Sequence, residues 1–493
     1  MNISNNDIIL KFQNELVIPE ISSKFKKEGY CSKTYIEEVY RVNMNLWNNM
    51  LIWGDNKDIM IALLKNYKEK IDLIYIDPPF FTENDYYKRV FLNKQYIQKI
   101  SYYDKWNKDL DSYLAFLYER LIVMKNLLSK KGSIYVHIDW HVSHHVKLIM
   151  DKIFGTENFR NEIIWFYPAA SSQTKRFYVR SYDSIFFYTK SEDYIFNDNP
   201  EIYMEYSNRV KNALKKDEKG YYYHRGGSHD GKKLKKKVYT EKKGVFPRDV
   251  WMDIPYIRAN TPEYQGFSTQ KPERLLKRII IASSNKDSIV ADFFCGSGST
   301  VAVAEKLGRK WIGCDQNKEA IFTSWKRLLE LNNSNDILNW KNKYNSIVRP
   351  FKIYNTEIQD RKRVFPNNFL KSDEKIQLEN LKEPKIEIKL ERENNKIKIE
   401  ISNYIASYLN LLNNEIRTSI KDWYDLIDCI LIDFNYNREI FRPIWISYKT
   451  PKNRELLLRT GEFEYDEKKS FNIMIKVIDI IGFEVIKNIA ICT

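Results

Sequence analysis

A short apolar run that stops at two prolines most constrains how this chain folds. Residues 71–76 are apolar at all but one position, and Asp77-Pro78-Pro79-Phe80 follows them directly. Proline lacks an amide hydrogen and fixes its own φ, so a buried strand cannot continue through two of them. The pattern therefore predicts a buried strand at 71–76 that ends in a rigid loop.

Alternating strand and helix patterns surround a long interval that lacks them. The blocks at about 50–165 and 268–332 both show this alternation, which is typical of a parallel α/β sheet. The predicted fold class is therefore one doubly wound, Rossmann-like sheet interrupted by an inserted domain. The further predicted strands cover residues 132–138, 288–294 and 310–314, and the predicted helices cover residues 112–128, 144–154, 300–307 and 317–331.

A change of pattern marks the C-terminal part of the chain. Apolar residues alternate with period two at 445–448, 463–465 and 471–479, which predicts antiparallel strands in a small β-rich sandwich. The predicted division is an N-terminal extension at 1–45, a first α/β half at 46–165, an insert at 166–265, a second α/β half at 266–335, a linker at 336–395 and the C-terminal domain at 396–493.

The distribution of charge indicates a polyanionic partner. The chain carries 80 lysines and arginines against 65 acidic residues, a formal net charge of +15, which favours nucleic acid. Between residues 209 and 248, fourteen basic residues stand against four acidic ones, with tyrosines close by. A charged run is usually a solvated face, but interleaved aromatics favour contact with phosphates. The lysines expected to make that contact are Lys232, Lys233, Lys235, Lys236 and Lys237.

The cysteines and the N-terminus indicate a protein of the cytoplasm. No pair of cysteines has C-x-x-C spacing, and their odd number does not suggest a disulfide framework. Residues 1–7 lack the charged start and apolar core of an export signal, and no stretch has the length of a membrane span. We expect a soluble protein without membrane association. The cysteines are Cys31, Cys295, Cys314, Cys429 and Cys492.

A glycine-rich turn follows the strand predicted at 288–294. Gly296 and Gly298 would let the backbone come close to a ligand, and the helix N-terminus behind them offers amide donors. Two close glycines in such a place are equally often only a tight turn. Asp315, at the tip of the next predicted strand, favours a nucleoside because it can accept both ribose hydroxyls. It can also cap the helix that begins near Lys318, and the two roles are compatible.

The loop at 77–80 combines groups that one kind of chemistry requires. An exocyclic amine is a poor nucleophile while its lone pair is delocalised, and acceptors for its two hydrogens favour the reactive form. Asp77 supplies a carboxylate, the prolines fix the loop, and Phe80 offers a flat face for an unstacked base, worth ~1–3 kcal/mol. A proline-terminated strand with a capping acid and a core aromatic is the structural alternative. Together with the glycine turn, the loop predicts a base-flipping pocket.

These motifs resemble those of the permuted amino-methyltransferases of DNA, in which the catalytic block precedes the cofactor block. The likeness covers about residues 50–330, and the spacing is most similar to that of the modification subunits of type III restriction systems, although this chain is short for that group. The motifs that carry the resemblance are Trp53-Gly54-Asp55-Asn56 and residues 76–80, 135–140, 153–155, 159–165, 268–272 and 292–299.

The resemblance implies S-adenosylmethionine as the cofactor and a role for each matching residue. Asp77 and Phe80 would meet the target base, with Pro78 and Pro79 completing the catalytic loop. The family's usual acid at the ribose is glutamate, where this chain has Asp315. The residues expected to bind or border the cofactor are Asp55, Lys271, Asp292, Phe294, Gly296, Gly298 and Asp315.

The resemblance also implies a reaction, which is site-specific methylation of N6 of adenine in duplex DNA within a restriction-modification system. Adenine is favoured over N4 of cytosine because the loop begins with Asp77, where cytosine-directed relatives more often carry serine. The alternatives are an enzyme acting on RNA or on a protein glutamine, and a non-catalytic DNA-binding subunit. The further partners that the resemblance admits are a restriction endonuclease or helicase subunit and a second copy of the chain.

A group of histidines near the strand at 132–138 has the residue types of a metal site. His137 and Asp139 lie at the end of that predicted strand, and the histidines at 141, 144 and 145 start a helix. Capping and packing explain such positions, and a donor that carries positive charge on sulfur needs no metal to activate it. We therefore expect no metal.

Overall fold

A computed structural model describes residues 36–39, 49–92, 95–168, 176–204, 206–229, 232–240, 244–346, 348–355, 383–438 and 440–492. Among these residues, no helix has the length and apolar composition needed to cross a bilayer. The α-helices are α1 (Asn56–Tyr67), α2 (Leu110–Leu127), α3 (Ser143–Phe154), α4 (Asn208–Ala213), α5 (Glu273–Ser283), α6 (Ser299–Lys306), α7 (Lys318–Leu329) and α8 (Asn414–Ser419).

The strands of the described residues form one large sheet and four smaller ones. In chain order they are β1 (Ile36–Val39), β2 (Asn49–Trp53), β3 (Ile71–Ile76), β4 (Asn84–Leu92), β5 (Gln95–Asp104), β6 (Leu128–Ile138), β7 (Phe159–Phe166), β8 (Tyr182–Thr189), β9 (Lys215–Asp217), β10 (Gly220–His229), β11 (Lys232–Thr240), β12 (Val250–Trp251), β13 (Ile289–Asp292), β14 (Lys310–Asp315), β15 (Phe351–Asn355), β16 (Lys385–Glu393), β17 (Lys396–Ile405), β18 (Ile427–Asp433), β19 (Ile440–Phe441), β20 (Trp445–Tyr448), β21 (Phe463–Glu464), β22 (Phe471–Asp479) and β23 (Glu484–Ile491).

The large sheet has eleven strands in the order β12-β7-β8-β6-β3-β13-β14-β2-β15-β1-β19. The six strands from β6 to β15 in that order run parallel to one another. Helices follow β2, β6, β13 and β14 in the chain, as in a doubly wound sheet. The predicted α/β fold class is confirmed.

Both faces of the large sheet are covered, and β3 shows why its sequence is almost continuously apolar. Leu73 and Tyr75 point into a core formed with α5, α6 and α7, whereas Ile74 and Ile76 point into a core formed with α1, α2 and α3. All four side chains are buried. A strand buried on both faces has no polar side, so it lacks the alternation of a half-exposed strand.

Two strands that are far apart in the chain meet at the centre of the sheet. β3 has β6 on one side and β13 on the other, so the order of strands reverses between β3 and β13. The loops that follow these two strands diverge at their carboxyl ends, and parallel α/β sheets bind ligands in such a crevice. The crevice lies between the loop at 77–83 and the turn at 293–298.

The large sheet extends beyond the boundaries predicted for its two halves. β8 lies inside the predicted insert, yet it pairs antiparallel with both β6 and β7. An antiparallel strand needs no crossover helix. The alternation of strands and helices in the sequence therefore ends before the last strands of this sheet, and the predicted boundary was placed too early. β1, in the predicted N-terminal extension, and β15, in the predicted linker, also belong to this sheet. The separate sheet within the predicted insert is β11-β10-β9.

The C-terminal domain consists of two sheets over one core. Their strand orders are β16-β17-β21 and β20-β18-β22-β23, and every pairing in them is antiparallel. Ile399 and Ile401 of the first sheet share a core with Ile430 and Ile475 of the second. The architecture is the β-rich sandwich expected from the period-two pattern.

A two-stranded hairpin, β4–β5, leaves the large sheet directly after the loop that begins at Asp77. Its strands pair antiparallel over residues 84–104. Val90 and Leu92, at the end of β4, and Ile97, near the start of β5, are buried in the core of the C-terminal sandwich. The hairpin therefore joins the Asp77 loop to the C-terminal domain.

Candidate active site

The crevice between β3 and β13 opens into a cavity of about 950 Å³, counting the space open to solvent. Several separate parts of the chain line it, among them the loop after β3, strand β5, the segment before α5, the turn after β13 and the start of α7. Pro78, Phe80, Gly298 and Asp55 are not part of this lining. The predicted site residues that line the cavity are Asp77, Pro79, Lys271, Asp292, Phe294, Gly296 and Asp315.

Asp77 uses only one of its carboxylate oxygens within the described part of the chain. Its Oδ2 lies 2.6 Å from Nζ of Lys271, which forms an ion pair with it. Its Oδ1 is buried, and no described residue donates a hydrogen bond to it. A buried acceptor without a donor is costly, so this oxygen favours a ligand that brings a hydrogen to the cavity.

The aromatic ring of Phe80 contacts two side chains. It stacks on the imidazole of His137 with the ring centroids 6.0 Å apart and the planes 24° from parallel. Nζ of Lys271 lies 5.1 Å from the Phe80 centroid. Tyr113 donates its hydroxyl to the carbonyl of Pro79 at 2.7 Å, which fixes the backbone just before the ring.

Two of the four histidines that have the residue types of a metal site contact neighbouring polar side chains. The Nδ1 of His137 lies 2.8 Å from the hydroxyl of Tyr75, and its Nε2 lies 3.0 Å from Oδ2 of Asp183. Burial favours the neutral acid at Asp183, but His137, Lys271 and Tyr167 together outweigh it and lower the pKa of that carboxyl. His141 contacts the carboxylate of Asp139 at 2.7 Å, at the start of the turn before α3.

Gly296 and Gly298 form a left-handed turn between β13 and α6. Their φ angles are +49° and +75°, which residues with a Cβ adopt only at a cost. A Cβ on Gly298 would come within 2.6 Å of the Ser324 hydroxyl, so glycine is required there by close packing. A Cβ on Gly296 would meet only the Phe294 carbonyl, at 3.9 Å, so its side faces open space.

Asp315 closes the turn from the neighbouring strand. Its Oδ2 accepts the Gly296 amide at 2.9 Å, and its Oδ1 accepts the Asn317 amide at 2.8 Å. Burial raises the pKa of Asp315 to about 6, and the two amide donors oppose that rise. Asn317 rather than Asp315 caps α7, because its Oδ1 accepts the Glu319 amide at 2.8 Å.

Asp292 is the most buried acid of the cavity. It accepts the Thr300 hydroxyl at 2.5 Å and the Phe294 amide at 3.0 Å. Burial raises the pKa of Asp292 to about 7, and the charge of Asp77 adds to that rise. The cavity thus contains a second carboxyl group whose charge depends on what occupies the space beside it.

Asp55, expected to border the cofactor, performs a structural role beside the cavity. It caps α1 by accepting the Lys57 amide at 2.8 Å, and Arg120 contacts its carboxylate at 3.0 Å. Arg120 also donates to the Asn56 side chain at 2.6 Å, and Asn56 donates to the Phe293 carbonyl at 2.8 Å. Asn56 lines the cavity although the sequence patterns gave it no role, and its place next to Asp55 in the quoted motif is the signal that could have identified it.

The five lysines proposed to contact phosphates lie on strand β11. Lys236 and Lys237 are exposed, and Lys237 pairs with Asp217 at 3.0 Å. The ammonium of Lys237 also lies 4.3 Å from the ring centroid of Tyr222 on the adjacent strand. The side chains of Lys232, Lys233 and Lys235 lie outside the described set.

Comparison with known proteins gives a match that spans the cavity. The N6/N4 DNA methylase family model matches residues 71–325, which include both the loop at 77–80 and the glycine turn. The chain is 32% identical to the DNA adenine methyltransferase YhdJ of Escherichia coli (strain K12), over 55% of this chain and 80% of YhdJ.

Two further relatives come from restriction systems. The chain is 30% identical to the type II methyltransferase M.EcaI of Enterobacter cloacae, over 57% of this chain and 69% of that protein. It is 24% identical to the Mod subunit of the type III restriction-modification enzyme StyLTI of Salmonella typhimurium, over 53% of this chain. The match covers 50% of that Mod subunit, so the chain corresponds to about half of its length.

Proposed function

The chain belongs to the N6/N4 DNA methylase family, and on that premise we propose that its cavity transfers a methyl group from S-adenosylmethionine to N6 of adenine in duplex DNA. The observation that carries this proposal is the buried Oδ1 of Asp77, which has no donor among the described residues. It lies in the same cavity as the turn at Gly296. The proposal therefore assigns the acceptor for the amine and the turn for the cofactor to one cavity.

Asp77 and Phe80 have the functional groups needed to bind a base and to activate its amino group for methyl transfer. A base that leaves the duplex stack can lie on the Phe80 ring, which is worth ~1–3 kcal/mol for such stacking. Asp77 then accepts a hydrogen of the exocyclic amine at Oδ1, which localises the nitrogen lone pair. Lys271 holds Oδ2, so the carboxylate keeps one orientation, and Oδ1 is left without a donor among the described residues.

The turn after β13 fits S-adenosylmethionine. The open side of Gly296 allows a ligand to approach the backbone closely, and the buried carboxyl groups of Asp292 and Asp315 face the same cavity. S-adenosylmethionine supplies a methyl group made electrophilic by the positive charge on its sulfur. Burial raises the pKa values of both acids, and a cation beside them would favour their ionised forms.

Adenine is proposed as the target because the loop begins with aspartate and because YhdJ, by its name, acts on adenine. N4 of cytosine is the second candidate, since it presents an amine of the same geometry. The StyLTI Mod subunit belongs, by its name, to a restriction-modification enzyme, which supports a restriction subunit as a partner of this chain. A second copy of the chain as partner stays a prediction.

Transfer of labelled methyl from S-adenosylmethionine to unmethylated genomic DNA tests this function, followed by digestion to nucleosides. We expect label in N6-methyladenine with the wild type and none with Asp77→Ala. The matched control is Asp193→Ala, which removes an exposed acid paired with Lys131. Label in N4-methylcytosine would overturn the choice of base, and equal labelling by Asp77→Ala would overturn the role of that residue.

A further inference from the structure

A buried carboxylate outside the predicted motifs holds the loop that carries Phe80. Asp104, at the end of β5, is fully buried, and its two oxygens accept five hydrogen bonds. Three come from consecutive backbone amides, those of Phe80 at 3.1 Å, Phe81 at 3.1 Å and Thr82 at 2.8 Å. The others come from the Thr82 hydroxyl at 2.9 Å and the Trp106 indole at 2.8 Å.

The backbone that Asp104 holds is in an uncommon conformation. Phe81 has φ +62° and Glu83 has φ +59°, values in the left-handed region that favours glycine. Such residues persist only where surrounding contacts compensate for their cost. Asp104 supplies those contacts at Phe81, and the Glu83 carboxylate adds another by accepting the Trp106 amide at 2.9 Å.

The same hairpin that supplies Asp104 also forms a wall of the cavity. Ser101 and Tyr102, on β5, line the cavity together with Asp77. The ring of Tyr102 stacks on Tyr86 of β4, with centroids 4.8 Å apart and planes 15° from parallel. The hairpin therefore forms part of the cavity wall and also holds the backbone of the loop at residues 80–82.

We propose that Asp104 is a positioning residue for methyl transfer. It does not line the cavity, and it acts by fixing the amides of residues 80–82, so that the Phe80 ring stands where an unstacked base can lie on it. The inference rests on the proposed function, because it assigns to Phe80 the contact with the base. Preorganised groups of this kind raise the rate of the chemical step more than they strengthen cofactor binding.

The carboxylate is specifically required, because an amide of the same shape has only one acceptor oxygen. In Asp104→Asn, an NH2 group replaces one of the two carboxylate oxygens. Its hydrogens would face N–H or O–H groups of the loop or the indole N–H of Trp106, which are donors themselves and cannot accept them. The loop would then lose part of its support while the turn at Gly296, on the other side of the cavity, keeps its own contacts. The expected signature is a fall in kcat without a matching change in affinity for S-adenosylmethionine.

The test compares purified wild type, Asp104→Asn and Asp85→Asn by steady-state methylation of unmethylated genomic DNA. Asp85 is the matched control, because it lies on the same hairpin and pairs with the half-exposed Lys105 at 2.8 Å. We expect kcat to fall at least 100-fold in Asp104→Asn and to change less than twofold in Asp85→Asn. The dissociation constant for S-adenosylmethionine should stay within threefold of the wild type in both.

A second pair of variants decides the question if Asp104→Asn does not fold. Thr82→Val removes the hydroxyl that donates to Asp104 and keeps the shape, whereas Thr82→Ser keeps the donor. We expect kcat to fall about tenfold in Thr82→Val and to be restored in Thr82→Ser. Absence of transfer by the wild type would overturn the proposed function together with this inference. Transfer by the wild type with an unchanged kcat in Asp104→Asn, or in Thr82→Val where Asp104→Asn does not fold, would overturn this inference alone.

Discussion

Lys271 Nζ lies 2.6 Å from Asp77 Oδ2 and links the loop after β3 to the segment before α5. The two side chains are largely shielded, with 10% of Lys271 and 19% of Asp77 exposed. The same ammonium lies near the face of Phe80. One cation therefore holds the carboxylate and contacts the aromatic ring beside it.

Replacing Lys271 with methionine should lower the free energy of unfolding by on the order of 3 kcal/mol, because it leaves a buried carboxylate without its partner. Chemical denaturation measures the loss. In an Asp77→Asn background the same replacement should cost much less, because the carboxylate that needs the partner is gone. Equal costs in the two backgrounds would contradict the prediction. Lys277→Met, which breaks a pair with Glu201 away from the cavity, is the matched control.

Alanine at Gly298 should destabilise the protein more than alanine at Gly296. The left-handed φ costs about 1–2 kcal/mol at either position. Only at Gly298 would the new Cβ also meet Ser324, at 2.6–2.9 Å, which adds about 1–3 kcal/mol of overpacking. Thermal unfolding of the two variants side by side measures the difference. Equal losses would mean that α7 moves away from the turn without cost.

Asp292 should make stability depend on pH. Burial raises its pKa to about 7, whereas an unfolded aspartate titrates near 3.9. The folded state therefore favours the protonated acid, and its contribution to stability is fully present below about pH 4 and is lost as the pH rises to about 7. Over that interval the wild type should lose about 1.4 kcal/mol per pH unit relative to Asp292→Asn.

The measurement is chemical denaturation of both proteins at several pH values between 4 and 8. The side chain introduced by Asp292→Asn cannot titrate, so the difference between the two curves isolates this one group from the other acids. A difference that stays constant across the interval would show that the carboxyl group is ionised in the folded protein throughout.

Local sequence patterns were sufficient to predict strand β3 and the glycine turn after β13, which border the cavity. The strand predicted at 71–76 is β3, and the glycine turn follows β13 as expected. Both signals are local, because a strand buried on two faces must be apolar throughout and a left-handed turn favours glycine. The family match over residues 71–325 confirms the resemblance on which the proposed roles rest.

The contacts across the cavity could not be read from local patterns. The place of Lys271 beside the cofactor stays a prediction, and the sequence did not show that Lys271 pairs with Asp77. The ribose role of Asp315 stays a prediction, and the sequence did not show that both of its oxygens accept backbone amides. Asp104 carries no motif at all. Each of these contacts joins loops that are distant in the sequence. The order of strands in the sheet decides which loops meet, and neighbouring residues do not.

The basic strand β11 should dominate the salt dependence of DNA binding. Changing Lys232, Lys233, Lys235, Lys236 and Lys237 to glutamine should flatten the plot of log affinity against log salt by about 0.9 for each phosphate that is no longer neutralised. Five exposed lysines elsewhere serve as the control, namely Lys131, Lys385, Lys389, Lys468 and Lys469. Fluorescence anisotropy with a labelled duplex measures both slopes. An equal effect of the two sets would mean that net charge alone is responsible.

The buried Lys99 should contribute strongly to stability. Its ammonium lies 2.5 Å from Oε1 of Glu319 and 2.8 Å from the Ile481 carbonyl of the C-terminal domain. Lys99→Met should lower the free energy of unfolding by on the order of 3 kcal/mol, because Glu319 loses a close partner in a buried site. The exposed Lys105 on the same hairpin is the control, and its change to methionine should have little effect.

The pH dependence of that cluster is opposite in sign to that of Asp292. Burial favours the neutral form of Glu319, but Lys99 and Lys88 outweigh it and hold the pKa at about 2. The stabilising charge is therefore present above about pH 4.3 and is lost as the pH falls towards 2. The deficit of Lys99→Met should shrink in acid, and a deficit that is unchanged at pH 3 would contradict the assignment.

The apolar end of the β4–β5 hairpin lies inside the C-terminal core and limits how this chain can be recombined with its relatives. A chimaera that exchanged residues 383–492 alone would leave Val90, Leu92 and Ile97 facing a foreign surface. The hairpin would then have to be transplanted together with the sandwich, although about 280 residues of sequence separate them. Grafting experiments on this protein should therefore exchange the hairpin and the C-terminal sandwich together.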